Sequence, residues 1–137
     1  MRRVSLLDPN PLKDAVMQIK NVLIVEDSPT DSKVLCDMLT KNGYGVVAVG
    51  SAEEALVRVK QTKPDLVLMD VVLPGQNGFQ ATRTLARDDA TKDVPVIICS
   101  SKGQVTDKVW GMRQGAKNYL VKPVKQTELL AMIAALQ

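Results

Sequence analysis

The sequence predicts an α/β protein built on a doubly wound, five-stranded parallel sheet with five helices. Two observations lead there. From residue 21 onward, short runs rich in Val, Ile and Leu alternate with longer segments of helical spacing. The apolar runs are near-continuous rather than alternating with polar residues, which is how strands buried on both faces read. Runs of this kind, each followed by a helix-length segment, are the pattern of repeated βα units.

Each element has its own signal. Residues 22–26 form the first strand run. Residues 29–41 follow with Val34, Leu35, Met38 and Leu39 at helical spacing, and Gly43 closes that helix. Residues 46–49 are the second strand run. Ser51 followed by Glu54 is a capping box for a helix reaching about Gln61. Residues 66–70 are the third run, and Asn77-Gly78 opens a third helix that extends through Ala86. Residues 96–99 precede a fourth helix over 105–114, stopped by Gly115. Residues 119–121 precede the fifth helix, 125–136, with Leu129, Leu130, Ile133 and Leu136 on one face. Right-handed crossovers leave few topologies for five such units, and the flavodoxin-like strand order 2-1-3-4-5 suits them. Ligands of such sheets bind outside the carboxyl ends of the strands.

Composition narrows the chemistry. The chain has 137 residues, 45% of them hydrophobic, enough for one domain with a proper core. It has no histidine, which excludes a histidine acid/base, a phosphodonor histidine within the chain and most zinc or iron sites. Cys36 and Cys99 lie far apart inside apolar stretches and read as buried, reduced thiols of a cytoplasmic protein. The net charge of +3 is small and unclustered, so nothing points to nucleic acid. No apolar run approaches a membrane span, and no signal-peptide core precedes the first strand. Residues 1–20, with Pro9, Pro11 and no clear period, read as a disordered tail or a misassigned start, with Met17 as the alternative first residue. Residues 21–137 read as the folded domain.

The strand ends carry the functional signal. Strand one ends in Glu26-Asp27, strand three in Asp70, strand four in Ser100 and strand five in Lys122-Pro123. Each residue alone reads as a turn former or helix cap. In the order 2-1-3-4-5 they share one edge, so three carboxylates, a hydroxyl and an ammonium converge. Carboxylates about 4 Å apart repel by roughly 4 kcal/mol per pair at an effective dielectric near 20. A divalent cation relieves that repulsion, and an all-oxygen donor set selects Mg²⁺. Asp70 then suits the role of nucleophile toward phosphorus, forming an acyl phosphate. Lys122 offsets charge on the phosphoryl oxygens, and Ser100 donates a hydrogen bond to them.

The segments Val22-Leu23-Ile24-Val25-Glu26-Asp27-Ser28, Leu66 through Gly75, Pro95 through Ser101 and Tyr119 through Val124 resemble the blocks of response-regulator receiver domains. The resemblance implies Mg²⁺ bound by Glu26, Asp27, Asp70 and the backbone carbonyl of Val72. It implies Asp70 as phosphoacceptor, Lys122 as phosphoryl contact, Ser100 as switch hydroxyl and a cis Lys122-Pro123 bond. Tyr119 matches the aromatic rotamer switch, with a half-buried strand tyrosine as the plainer reading. Asn77 through Arg83 and Asp107 through Ala116 are similar to stand-alone receivers of type IV pilus chemosensory systems, which govern twitching motility. Glu26 replaces the aspartate many receivers carry there, and Ser100 the commoner threonine. Val72 and Lys102 also depart from the best-known chemotaxis receivers.

The implied partners are a histidine kinase as phosphodonor and a downstream protein docking on the fourth helix, fifth strand and fifth helix. Two new charge-assisted hydrogen bonds, from Ser100 and Lys122, could supply roughly 3–6 kcal/mol. Inverting a population from 1:99 to 99:1 needs about 5.5 kcal/mol. Ser100 moving toward Asp70 is expected to drag the loop after strand four and let Tyr119 turn inward. Trp110, on the fourth helix, reads as a packing residue ahead of a partner anchor. A chain stopping after its fifth helix is expected to act without a DNA-binding module, by docking or as a phosphate sink for a shared kinase. The rival class is a Mg²⁺-dependent aspartate-nucleophile phosphohydrolase, a true enzyme, but it needs a second acid two residues after Asp70, where Val72 stands. A flavin-binding flavodoxin is disfavoured by the acidic loop after strand one, which repels phosphate.

Overall fold

A computed structural model describes residues 18–137 of the chain. The expectations for residues 1–17, including the alternative start at Met17, lie outside the described residues. Five strands run in the order β1 (Asn21–Val25), β2 (Gly45–Val49), β3 (Leu66–Met69), β4 (Val96–Ser100) and β5 (Asn118–Val121). Between and after them come α1 (Pro29–Lys41), α2 (Ala52–Gln61), α3 (Gly78–Arg87), α4 (Val105–Arg113) and α5 (Gln126–Ala135). All pairings are parallel and the sheet order is β2-β1-β3-β4-β5, as the pattern predicts.

Why the runs are continuously apolar is visible in the packing. Successive strand side chains point to opposite faces, and both faces are covered. Val22, Ile24, Leu66, Leu68, Ile97, Cys99 and Leu120 meet Leu35 and Leu39 of α1 and Leu129 and Ile133 of α5. The alternate residues Leu23, Val25, Val67, Met69 and Val96 meet Ala52, Ala55 and Val59 of α2 and Ala81 and Leu85 of α3. A smaller third cluster joins Val71, Ile98, Ala116 and Tyr119.

The helix starts follow their caps. Ser28 accepts from the Asp31 amide with Pro29 opening α1, and Ser51 accepts from the Glu54 amide. Asn77 and Gln80 form a reciprocal capping box on α3. Gly43 and Gly115 adopt positive φ after α1 and α4, the left-handed exit that glycine favours.

Several expectations need correction. β2 is an edge strand, exposed or half-buried throughout, not a buried one; its valines reflect strand preference rather than enclosure. Ile19, placed by sequence in the tail, packs in the core, and its amide donates to Gln137. Cys36 is half-buried, whereas Cys99 is buried, and both are free thiols. Trp110 is 49% exposed rather than packed, one of four large apolar residues that α4 shows to solvent with Val105, Val109 and Met112. No described helix is long and apolar enough to cross a membrane.

Candidate functional site

The sheet ladder continues one residue past the strands and sets the site. The Asp70 amide donates to the Val25 carbonyl at 3.0 Å, which places Asp70 beside Glu26. The Lys122 amide donates to the Ser100 carbonyl at 2.9 Å, placing the last two strand-end residues side by side. Lys122-Pro123 is cis.

On this edge one carboxylate oxygen from each of Glu26, Asp27 and Asp70 lies within 4.8 Å of the others. Two oxygens on opposite sides of a magnesium ion are about 4.2 Å apart, so a set of hard donors gathered within 4.8 Å needs only a small closure to hold such a cation. The Lys122 ammonium donates to Glu26, to Asp31 Oδ2 at 2.9 Å and to Asp70 Oδ2 at 3.2 Å. Asp70 Oδ1 accepts from the Val71 amide at 2.7 Å, with the Val72 amide at 3.4 Å. Glu26 Oε2 accepts from the Ser28 amide.

Burial raises the Glu26 carboxyl above its ordinary pKa, and the Asp70 charge adds to this, while hydrogen bonds from Lys122 and Ser28 partly offset it. For Lys122 burial works against the ammonium, but hydrogen bonds to Asp31 and Glu26 and the nearby Asp70 outweigh it and hold its pKa above that of an ordinary lysine.

Ser100 is fully buried, and its Oγ accepts from the Lys102 amide at 3.2 Å. The Tyr119 hydroxyl donates to the Lys102 carbonyl at 2.6 Å. Both polar groups of one peptide segment are thereby held, one by each expected switch residue. The Tyr119 ring is only 7% exposed, so it already lies inside, where sequence expected it to turn inward as a consequence of switching. Burial pushes its phenol pKa up, with Ser100 partly offsetting this.

Glu26, Asp27, Asp70 and Lys122 therefore meet, while Ser100 adjoins them through its backbone carbonyl, which accepts from the Lys122 amide, and its hydroxyl is engaged by the Lys102 amide. Two contributors escaped the sequence reading. Asp31 reads as a favourable acid in the first turn of a helix, yet it reaches Lys122. Gly78 reads as a helix opener, yet a Cβ there would lie 1.9 Å from the Asp70 carbonyl oxygen. The one available signal was the acidic loop Glu26-Asp27-Ser28-Pro29-Thr30-Asp31, which carries Asp31 close behind the first strand.

A parallel sheet of this order, with an acidic pocket, a lysine and a buried hydroxyl at its carboxyl edge, has the architecture of phosphorylation-controlled signalling receivers. The chain belongs to that family: the model of the response regulator receiver domain matches residues 22–134. Protein PilH of Pseudomonas aeruginosa is 52% identical over 83% of this chain and 94% of its own length. The DNA-binding response regulator MtrA of Mycolicibacterium smegmatis is 35% identical over 85% of this chain, which spans only 50% of that longer relative. Among solved structures, the receiver domain of a sensor histidine kinase from Pseudomonas aeruginosa PAO1 superposes with a TM-score of 0.79 at 29% identity. It covers 87% of this chain and 98% of that one, and carries a magnesium ion coordinated in its active-site cleft.

Proposed function

We propose that this receiver accepts a phosphoryl group from a histidine kinase onto Asp70 and signals in a chemosensory relay controlling type IV pilus motility. The observation that carries the reading is the Lys122 ammonium joined to both Glu26 and Asp70 beside Asp27. Glu26, Asp27, Asp70 and the Val72 carbonyl would hold Mg²⁺, which when bound supplies positive charge against the phosphoryl oxygens. An Asp70 carboxylate oxygen attacks phosphorus, the P–N bond of a phosphohistidine breaks, and the imidazole leaves with the bonding pair. The product is an acyl phosphate on Asp70. Lys122 neutralises phosphoryl charge, and the Val71 amide steadies the Asp70 carboxyl. The chain is then a kinase substrate that loses its phosphate slowly by hydrolysis, rather than an enzyme turning over free esters.

Ser100 and Tyr119 act through Lys102. A Ser100 hydroxyl that turns to the phosphoryl group gives up the Lys102 amide, while Tyr119 keeps the carbonyl of the same residue. The loop entering α4 shifts accordingly, and the face of α4, β5 and α5 changes. Exposed Val105, Val109, Trp110 and Met112 suit that face to a protein partner. The pilus assignment is supported by the motifs at 77–83 and 107–116 and by the likeness to Protein PilH. The setting we assign is the cytoplasm, in keeping with the free thiols of Cys36 and Cys99. The phosphate-sink role shares every step on Asp70 and differs only in needing no downstream target.

The test is phosphorylation by acetyl phosphate with Mg²⁺, read by intact mass. The wild-type chain gains one hydroxylamine-labile phosphate and Asp70→Asn gains none. A phosphate that persists in Asp70→Asn would place the nucleophile elsewhere.

A further inference from the structure

We propose that Asp31 is a positioning residue for phosphoryl transfer, holding the Lys122 ammonium at the pocket while Glu26 and Asp70 are engaged elsewhere. The inference rests on the phosphoacceptor reading above and assigns a fourth carboxylate to that site. An ammonium has three N–H donors, and here Glu26, Asp31 and Asp70 take them all. Glu26 and Asp70 also belong to the acidic cluster with Asp27, whereas Asp31 does not. Asp70 gives up its charge on becoming an acyl phosphate. Asp31 is thus the Lys122 partner with no second duty, and the donors released by the others turn to the phosphoryl oxygens.

The fold gives Asp31 the rigidity this requires. It sits in the first turn of α1, its amide donating 3.3 Å to the Ser28 cap with Pro29 between them. Its side chain is 45% exposed and that of Lys122 16%, so the pair closes the rim of the pocket rather than its floor.

Charge and position make opposite forecasts. Asp31 adds a negative charge near an anionic donor, so a residue acting by charge alone slows the reaction, and its removal speeds it. A residue that aims Lys122 does the reverse. The experiment compares wild type, Asp31→Ala and Asp31→Asn over a range of acetyl phosphate concentrations with saturating Mg²⁺, reading the initial rate of Asp70 phosphorylation. Asp31→Ala lowers the plateau rate about tenfold, a barrier increase of about 1.4 kcal/mol, with little change in the half-saturating concentration. Asp31→Asn, which keeps an oxygen acceptor, recovers most of the rate. In a Lys122→Ala background, adding Asp31→Ala changes the residual rate by less than about twofold, because the effect runs through the lysine. An Asp31→Ala plateau equal to or above wild type overturns the proposal. So does an undiminished loss in the Lys122→Ala background. A wild-type chain that takes no phosphate fails the underlying phosphoacceptor reading instead, and is distinguishable because no variant then differs from it.

Discussion

Replacing Gly78 by alanine tests how tightly the phosphoacceptor strand is wedged against α3. A Cβ at Gly78 would lie 1.9 Å from the Asp70 carbonyl oxygen, 2.8 Å from its carbon and 3.0 Å from Val71 Cα. A relaxed carbon–oxygen contact is about 3.3 Å, so the carbonyl must retreat by more than about 1 Å. Every obstructing atom is backbone, so no side-chain rotation relieves the clash. The retreat also strains the Asp70 amide bond to Val25 and the Gly78 amide bond to Val71, at 3.0 and 2.9 Å. Overpacking costs about 1–3 kcal/mol, and weakening two hydrogen bonds adds about 1–2 kcal/mol. The helix preference of alanine over glycine returns at most about 1 kcal/mol. The net is a loss of about 1–5 kcal/mol, or a fall in Tm of about 4–20 °C at roughly 4 °C per kcal/mol. Thermal melting by circular dichroism measures it, and acetyl phosphate labelling of the same sample reports the displaced Asp70. Gly43→Ala is the comparison, since Gly43 has a φ of +89° with nothing within 4 Å of its Cβ; it costs about 1–2 kcal/mol and leaves labelling intact. A Gly78→Ala protein that melts at or above the wild-type temperature and labels normally would refute the wedge.

Burial pushes the Cys99 thiol up to about 12, so in the native protein it stays protonated and unreactive. Iodoacetamide at about pH 8, below the ordinary thiol value of about 8.5, is expected to modify half-buried Cys36 and to reach Cys99 only after urea is added; mass mapping of the alkylated peptides decides it. The folded form binds this proton more tightly than the unfolded chain. The associated stability is therefore complete below the unfolded thiol value and is lost as pH rises toward the folded one, so the urea midpoint falls on the alkaline side. Trp110→Ala should leave stability within about 0.5 kcal/mol, as exposed sites do, while weakening capture of the output partner by the phosphorylated chain. A melting loss well beyond that range would mean Trp110 packs instead.

The fold was legible because its signals repeat. Residues such as Ile24, Leu68 and Ile97 are enclosed on the sheet face they occupy, so local sequence and tertiary environment agree. β2 misled because Val46 and Val47 satisfy strand preference whether or not a further strand lies outside them. The site was legible wherever a residue ends a strand, since parallel order carries all such ends to one edge. Asp31 and Gly78 were not, because their roles depend on where helices α1 and α3 begin in space, and neither position has a one-dimensional period. Tyr119 shows the same limit: its motif suggested a movable ring, but the ring lies in, packed with Val71, Ile98 and Ala116 and donating to the Lys102 carbonyl, seventeen residues earlier, partners that, Ala116 aside, are distant in sequence.

Val71, Ile98, Ala116 and Tyr119 pack together apart from the two large layers that hold the sheet between its helices. Val71 follows Asp70 in the chain, and Ala116 lies just beyond α4. Under the proposed function, this small cluster is what joins the acid pocket to the end of α4 without passing through either large layer. Ile98 is fully buried and its three neighbours nearly so, which means that any substitution within this quartet moves folding stability together with whatever it does to signalling.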